Sequence, residues 1–271
     1  MDKEMTQAAG LSGRNDGSLA ERKKWLEMAD GYRMIFDWHT HTIYSHGKGT
    51  IEDNVRIAHE RGLREIAITD HGPGHLTYGF SMEKVPEIRA EIQRLALVYP
   101  DVKVLLGVEA NTKYGAPYID LTEEDKAQFD IILAGYHYGL LGAGMVPNWL
   151  NGHFGWFGGA PSDLRVKNTA MILDALYHNK VDVLTHPGDK GPFDIEDIAK
   201  ACADTGTLME INMKHEHLTV SEIQIAMKYD VKFIIGSDAH VPEAVGAFCG
   251  SLARALEAGL DPERIVNIEK V

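Results

Sequence analysis

Seven short apolar runs recur along the chain, at residues 34–38, 66–68, 102–108, 131–134, 181–184, 208–211 and 231–235. Between them, apolar residues return every three or four positions: Ile51, Val55 and Ala58; Met171, Ile172, Ala175 and Leu176; Ile195, Ile198, Ala199 and Cys202; Val245, Phe248, Leu252 and Leu256. The runs are too short for helices, and most lack the alternation of a half-exposed strand, so they read as strands covered on both faces. The intervening periodic segments read as helices. Several carry start signals: Thr50 to Asp53, Thr122 to Asp125, Asp194, Thr219 to Glu222, and Pro242 at the opening of a last long helix. Pro86 fits a helix over 81–98 only near its first turns, and Pro100 closes it.

Strands alternating with helices predict a parallel α/β fold, and at 271 residues a closed β/α barrel is the natural single-domain solution. Two segments stand outside the alternation. Residues 1–33 begin polar and turn helix-like from Leu19 to Ala29, a leader or helical extension expected to pack on the outside of a catalytic domain spanning 34–271. Residues 138–160 are rich in glycine and aromatics, with Trp149, Phe154, Trp156 and Phe157, and show no period. They read as a substrate-binding loop, with a subunit contact, and hence a homo-oligomer, as the alternative.

The apolar runs end in chemistry. The first leads into Asp37-Trp-His39-Thr-His41, and a strand period of two would place Asp37, His39 and His41 on one face. The second ends at Asp70-His71, the third at Glu109, the fourth at His137, the fifth at His186, the sixth at Asn212 and the seventh at Asp238-Ala-His240. In a parallel barrel all strand carboxyl ends meet on one rim, so these side chains converge by topology. His215 and His217 follow no strand end directly and read as solvated. Counting His46, seven histidines and two carboxylates exceed what one ion uses; at least two metals are implied and three fit. Imidazole mixed with carboxylate suits Zn, Mn or Fe. Cys202 and Cys249 fall at helical core positions and lie outside the cluster.

A formal net charge of −13 disfavours binding to a long nucleic acid. No run is apolar enough for a membrane span and the two cysteines build no disulfide framework, so a cytoplasmic setting without a membrane partner is expected.

The motifs resemble the PHP superfamily, named for polymerase and histidinol phosphatase: Asp37-Trp-His39-Thr-His41, Thr69-Asp70-His71, Glu109, His137, His186-Pro187 and Asp238-Ala-His240. They look most like the stand-alone bacterial YcdX-type phosphatases. The resemblance implies a distorted seven-stranded (β/α)7 barrel holding three divalent transition-metal ions and acting on phosphoesters. By the same resemblance His39, His41, Glu109 and Asp238 would hold one metal, Glu109 with His137 and His186 a second, and His46, His71 and His240 a third. Glu109, Asp238 and His240 are then the candidate catalytic residues. A metal-bridging hydroxide would attack a small phosphorylated substrate, histidinol-phosphate-like or a nucleotide. Lys190, Trp149 and Trp156 are the candidate substrate contacts, and Asp37 and Asp70 the candidates for orienting imidazoles. Rival readings are a PHP-type exonuclease acting on short nucleic acid, an amidohydrolase-like metal hydrolase, and a metal-binding module without catalysis.

Overall fold

The structure, a computed structural model, describes residues 18–140, 144–154 and 162–271. Seven parallel strands follow in chain order: β2 (Phe36–Asp37), β3 (Glu65–Ile68), β4 (Lys103–Asn111), β5 (Ile131–Gly135), β6 (Val183–Leu184), β7 (Leu208–Asn212) and β8 (Phe233–Gly236). Beyond the strand ends a parallel bridge joins Thr40 to Ala239, and His41 N donates to Ala239 O at 2.8 Å, so the sheet curls into a nearly closed barrel. A separate antiparallel ribbon pairs β1 (Tyr32–Met34) with β9 (Ile268–Lys270). The first apolar run is therefore split between two sheets.

Helices α1 (Leu19–Ala29), α2 (Ile51–Glu60), α3 (Val85–Val98), α4 (Glu123–Lys126), α5 (Met145–Phe154), α6 (Ser162–His178), α7 (Ile195–Thr205), α8 (Val220–Ala226) and α9 (Cys249–Glu257) accompany the strands. Their starts follow the sequence signals. Thr50, Thr122 and Thr219 each form a capping box with the acid three residues on, and Asp194 accepts from the amides of Glu196 and Asp197. Pro86 sits in the first turn of α3, where its missing N–H costs nothing. On α1, Trp25 packs beside Gly250 of α9, and Lys24 pairs with Glu257.

The period of two sorts the strand residues. Ile66, Ile68, Ile132, Ala134, Phe233 and Ile235 face the helices in the main core, while Ala67, Ile131, Leu133, Val183 and Ile234 fill a second, smaller cluster within the barrel. Leu105 and Leu208 pack on this inner cluster, so four and two residues further on, respectively, Glu109 and Glu210 share the inward parity. Both are fully buried. The inner face thus turns from apolar to polar toward the carboxyl ends of the strands.

Two predicted elements differ. The aperiodic segment contains a helix, α5, over Met145–Phe154, with Pro147 in its first turn, where a missing N–H is tolerated. The last long helix is broken: a 3-10 turn at Pro242–Ala244 is followed by Gly246 at φ +77°, and α9 starts only at Cys249. A left-handed glycine cannot continue a right-handed helix.

Candidate metal centre

Glu109 lies at the centre of the site. Its Oε1 is 2.9 Å from His186 Nε2 and 3.3 Å from both His39 Nε2 and His137 Nε2; its Oε2 is 2.9 Å from His71 Nδ1 and 3.6 Å from His41 Nε2. Thr185 Oγ1 donates to Oε1 at 2.8 Å. Asp238 is the second focus, with Oδ1 3.2 Å from His41 Nε2, 3.8 Å from His39 Nε2 and 3.1 Å from His240 Nδ1. Asp238 and His186 both adopt positive φ, 50° and 30°, unusual for non-glycine residues and often found where a site over-determines its side chains.

The imidazoles are aimed by hydrogen bonds on their far nitrogens. His39 Nδ1 donates to Glu210 Oε1 at 2.6 Å, His137 Nδ1 to Asn111 Oδ1 at 2.8 Å and His240 Nδ1 to the Asp238 carbonyl at 2.8 Å. Each bond leaves Nε2 as the available nitrogen. Glu210 also accepts from His186 N at 2.8 Å and Asn212 Nδ2 at 2.9 Å. Gly236 makes room for it: a Cβ there would fall 1.8 Å from Glu210 Oε1.

The same side chains leave buried polar atoms without a hydrogen-bond partner: His39 Nε2, both ring nitrogens of His41, His71 Nδ1, His137 Nε2 and Glu109 Oε2. Several stand close to a carboxylate, yet not aligned for a hydrogen bond. Leaving such groups unmade costs roughly 1–3 kcal/mol each. Divalent cations would engage them together. Among the described residues, five overlapping groups have ligand atoms within 4.8 Å of one another: His41, His71 and His240; His39, His41 and Asp238; His39, Glu109 and His186; His71, Glu109 and His137; His186, His215 and Asp238. The donor set fits more than one ion.

Electrostatics agree. Burial alone would raise the Glu109 carboxyl, but His137, His39 and His71 outweigh it and hold it well below the usual range. For Asp238 burial is likewise overcome, by Lys214, His39 and the neighbouring rings of His215 and His240. Burial pushes the His41 and His137 imidazoles well down, keeping them neutral and free to ligate.

His46 is placed differently. Its ring lies 4.8 Å from that of His71, 4.0 Å from His240 and 4.3 Å from Tyr78, so it joins the wall of the site, but it falls in none of the five groups. Burial, with His240 and His71 nearby, lowers its pKa to about 3. Asp37 and Asp70 hold backbone and hydroxyls: Asp37 accepts from the amides of His39, Ser237 and Gly246, and Asp70 from Thr42 and Ser45. Of the three residues expected to share a face, His39 and His41 converge on the centre with their rings 5.1 Å apart, whereas the Asp37 carboxylate is held by the amides of Ser237 and Gly246. The expectation that His215 is solvated also fails, since its side chain is 13% exposed and contacts Asp238. His217 is half-buried against Glu222.

The residues overlooked in the sequence are Glu210, Asn111, Asp189, Lys214, His215 and His75. Glu210 carried a signal, a charge interrupting a buried strand. His75, four residues after His71, stacks on His71 and Tyr78.

A cavity of about 540 Å³ opens over the centre, its walls including Leu76, Tyr78, Tyr138 and Met145 and its polar edge Lys190 and Lys214. Lys190 Nζ pairs with Asp189 at 3.2 Å. Trp149 is on α5, whose Met145 lines the cavity; Trp156 lies outside the described residues.

A family model for the PHP domain matches residues 37–244. The chain belongs to the PHP domain family. It is 31% identical over 252 residues to a protein of Thermoanaerobacter sp. (strain X514) named "probable phosphatase", covering 88% of this chain and 91% of that one. A Shewanella oneidensis protein of the same name is 32% identical over 243 residues, 85% and 86% of the two chains. Among solved structures, histidinol phosphate phosphatase from Lactococcus lactis, solved with zinc, L-histidinol and phosphate, superposes with a TM-score of 0.59 at 18% identity, over 84% of this chain and 95% of that one. A Listeria monocytogenes protein described as a "putative histidinol phosphatase" gives 0.57 at 16% identity, over 78% and 97%. These two likenesses establish the PHP barrel fold. Among the described residues no helix is long and apolar enough to cross a membrane.

Proposed function

We propose that this PHP-family chain is a metal-dependent phosphatase that hydrolyses a small phosphomonoester, histidinol-phosphate-like or a nucleotide, at a trinuclear centre. The observation that carries the reading is Glu109, fully buried with five imidazoles within 3.6 Å and one oxygen lacking a hydrogen bond. A carboxylate can bridge two cations, and the resemblance assigns His39, His41 and Asp238 to one side of it, His137 and His186 to the other, and His46, His71 and His240 to a third ion. Bound divalent ions would lower the pKa of a coordinated water to about 7 and offset phosphoryl charge.

The chain supplies the rest. Glu210, Asn111 and the Asp238 carbonyl fix the imidazole tautomers, and Lys190 and Lys214 present ammonium groups to an incoming phosphate. A cavity of about 540 Å³ suits a small molecule better than a polymer, as does the net charge of −13. Relatives named "probable phosphatase" over most of their length support the reaction class. Trp149 and Trp156 are proposed as substrate contacts, and a cytoplasmic setting accords with the reading.

The test is a panel of phosphomonoesters, phosphodiesters, short oligonucleotides, amides and lactones given to metal-loaded protein. Monoester turnover above all other classes, abolished by chelation, is expected. Cleavage confined to oligonucleotides, or to amides and lactones, would overturn the proposal in favour of an exonuclease or an amidohydrolase-like enzyme.

A further inference from the structure

His215 lies three residues beyond the end of β7 and belongs to none of the motifs that mark the family resemblance. Its ring is nonetheless held at both nitrogens. Nε2 stands 3.2 Å from Asp238 Oδ2 and Nδ1 stands 3.1 Å from Asp189 Oδ2. The backbone is fixed as well: His215 N donates to Asn212 Oδ1 at 2.9 Å, and Arg254 Nη1 donates to the His215 carbonyl at 3.1 Å. The ring centroid is 4.9 Å from that of His186.

Asp238 divides its oxygens between two sets of neighbours. Oδ1 faces His41, His240 and Lys214, whereas Oδ2 faces His215 and, at 3.5 Å, Asn212 Nδ2. Neither contact is aligned as a hydrogen bond, and Asp189 Oδ2 is itself a buried oxygen with no hydrogen-bond partner. With Nδ1 turned to Asp189, the lone pair of Nε2 and the carboxylate Oδ2 of Asp238 would face each other as two donors to one cation. A carboxylate behind a histidine whose other nitrogen faces a second carboxylate is the common arrangement around a ligating imidazole.

We propose that His215 is a direct ligand of a divalent transition metal, shared with His186 and Asp238, and that Asp189 is the positioning residue behind it. Asp238 then bridges two ions through its two oxygens, as Glu109 does at the other side of the centre. The inference rests on the multi-metal reading of the site and not on the identity of the substrate.

The experiment measures metal rather than turnover. Wild type, His215→Ala, Asp189→Asn and His217→Ala are loaded with cobalt(II), dialysed and compared by elemental analysis, visible absorption and competition with a chelator. His217→Ala serves as control, because that ring is bound to Glu222. His215→Ala should lose one metal equivalent, or weaken one site at least about tenfold, with a change in the cobalt bands; Asp189→Asn should weaken the same site by about tenfold. Full metal content with wild-type affinity and bands in His215→Ala would overturn the proposal. Should that variant not fold, the isosteric Asp189→Asn decides: wild-type affinity and bands there also overturn it. A chain that hydrolyses no phosphomonoester yet loses a metal in His215→Ala would refute the phosphatase reading and keep this one.

Discussion

Below the centre, where β2 and β8 approach each other, Asn267 is completely buried and every polar atom of its side chain is bonded. Its Oδ1 accepts from Ile235 N at 3.0 Å, its Nδ2 donates to the carbonyls of Phe36 and Ile235 at 2.9 and 2.7 Å, and its own carbonyl accepts from Ile35 N at 2.9 Å. At the carboxyl-terminal end Glu109 is equally buried, but its Oε2 and the facing nitrogens of His39, His41, His71 and His137 are left unsatisfied. Both ends remove polar groups from water, which costs free energy unless partners are supplied. The lower end is finished by the chain itself, with strands β2 and β8 laced to the carboxyl-terminal segment. The upper end is finished by something the chain must bind. Stability and function are thus separated along the barrel axis, and substitutions at the two ends should read out differently.

The largest effect is expected from Glu109→Gln. An amide keeps one good acceptor oxygen and replaces the other with NH₂, which ligates poorly. Metal content should fall at two sites and kcat/KM by at least about 10²-fold, the scale of losing one strong electrostatic contact at a reacting centre. His71→Gln should mainly affect one site. Denaturant titration of the metal-free forms checks that the fold survives, and a Glu109→Gln protein with full metal content and wild-type turnover would remove the central carboxylate from the account.

Asn267→Ala is the mirror experiment. It removes three hydrogen bonds and orphans an amide and two carbonyls in the interior, a loss of about 2–4 kcal/mol. Urea unfolding should report that loss while metal stoichiometry of the folded protein stays at the wild-type value. Loss of metal without loss of stability would show that the two ends are not separable.

Glu210→Gln falls between these. The side chain sits below the centre, oriented toward His39, and its removal of charge should weaken metal binding by about 10- to 100-fold, as is usual for a group behind a ligand. Chelator competition measures it. An unchanged affinity would mean that the His39 tautomer is fixed without Glu210.

Much of this contrast was legible in the sequence and part was not, for a physical reason. The seven buried strands and the histidines at their ends follow from local patterns, because a parallel strand is apolar by itself and its terminus is marked by where apolarity stops. Glu210 was visible only as an interruption: its partner His39 lies 171 residues away, a separation no local pattern spans. His215 and Asp189 escaped for the same reason, being brought together by loops after different strands. Asp37 shares the strand period that carries His39 and His41, but its carboxylate is held by the amides of Ser237 and Gly246, 200 and 209 residues away. The break before α9 depends on Gly246, whose N–H donates to Asp37 Oδ2 at 2.8 Å, again a distant contact.

The smallest expected effect is a proton. Burial alone would lower the His39 imidazole, but Glu210, Glu109 and Asp238 outweigh it and hold its pKa well above 6.5. A pKa raised on folding contributes stability that is fully present below the unfolded value of about 6.5 and is lost as pH rises through the folded value. The raised pKa favours an imidazolium at His39 in metal-free protein near pH 7, with a proton on Nε2, the nitrogen that faces Glu109 and Asp238. His41 and His137 shift the other way and are already neutral there, so they have no proton to give up. Metal uptake at pH 7 should release at least about one proton, and apparent affinity should rise with pH until the folded pKa of His39 is passed. Calorimetric titration in two buffers of different ionisation enthalpy counts the protons. Glu210→Gln should lower the count, because it removes the nearest of the charges that hold the proton on; a count of zero in the wild type would mean that His39 enters the reaction with metal already neutral, and that the carboxylates around it are balanced elsewhere.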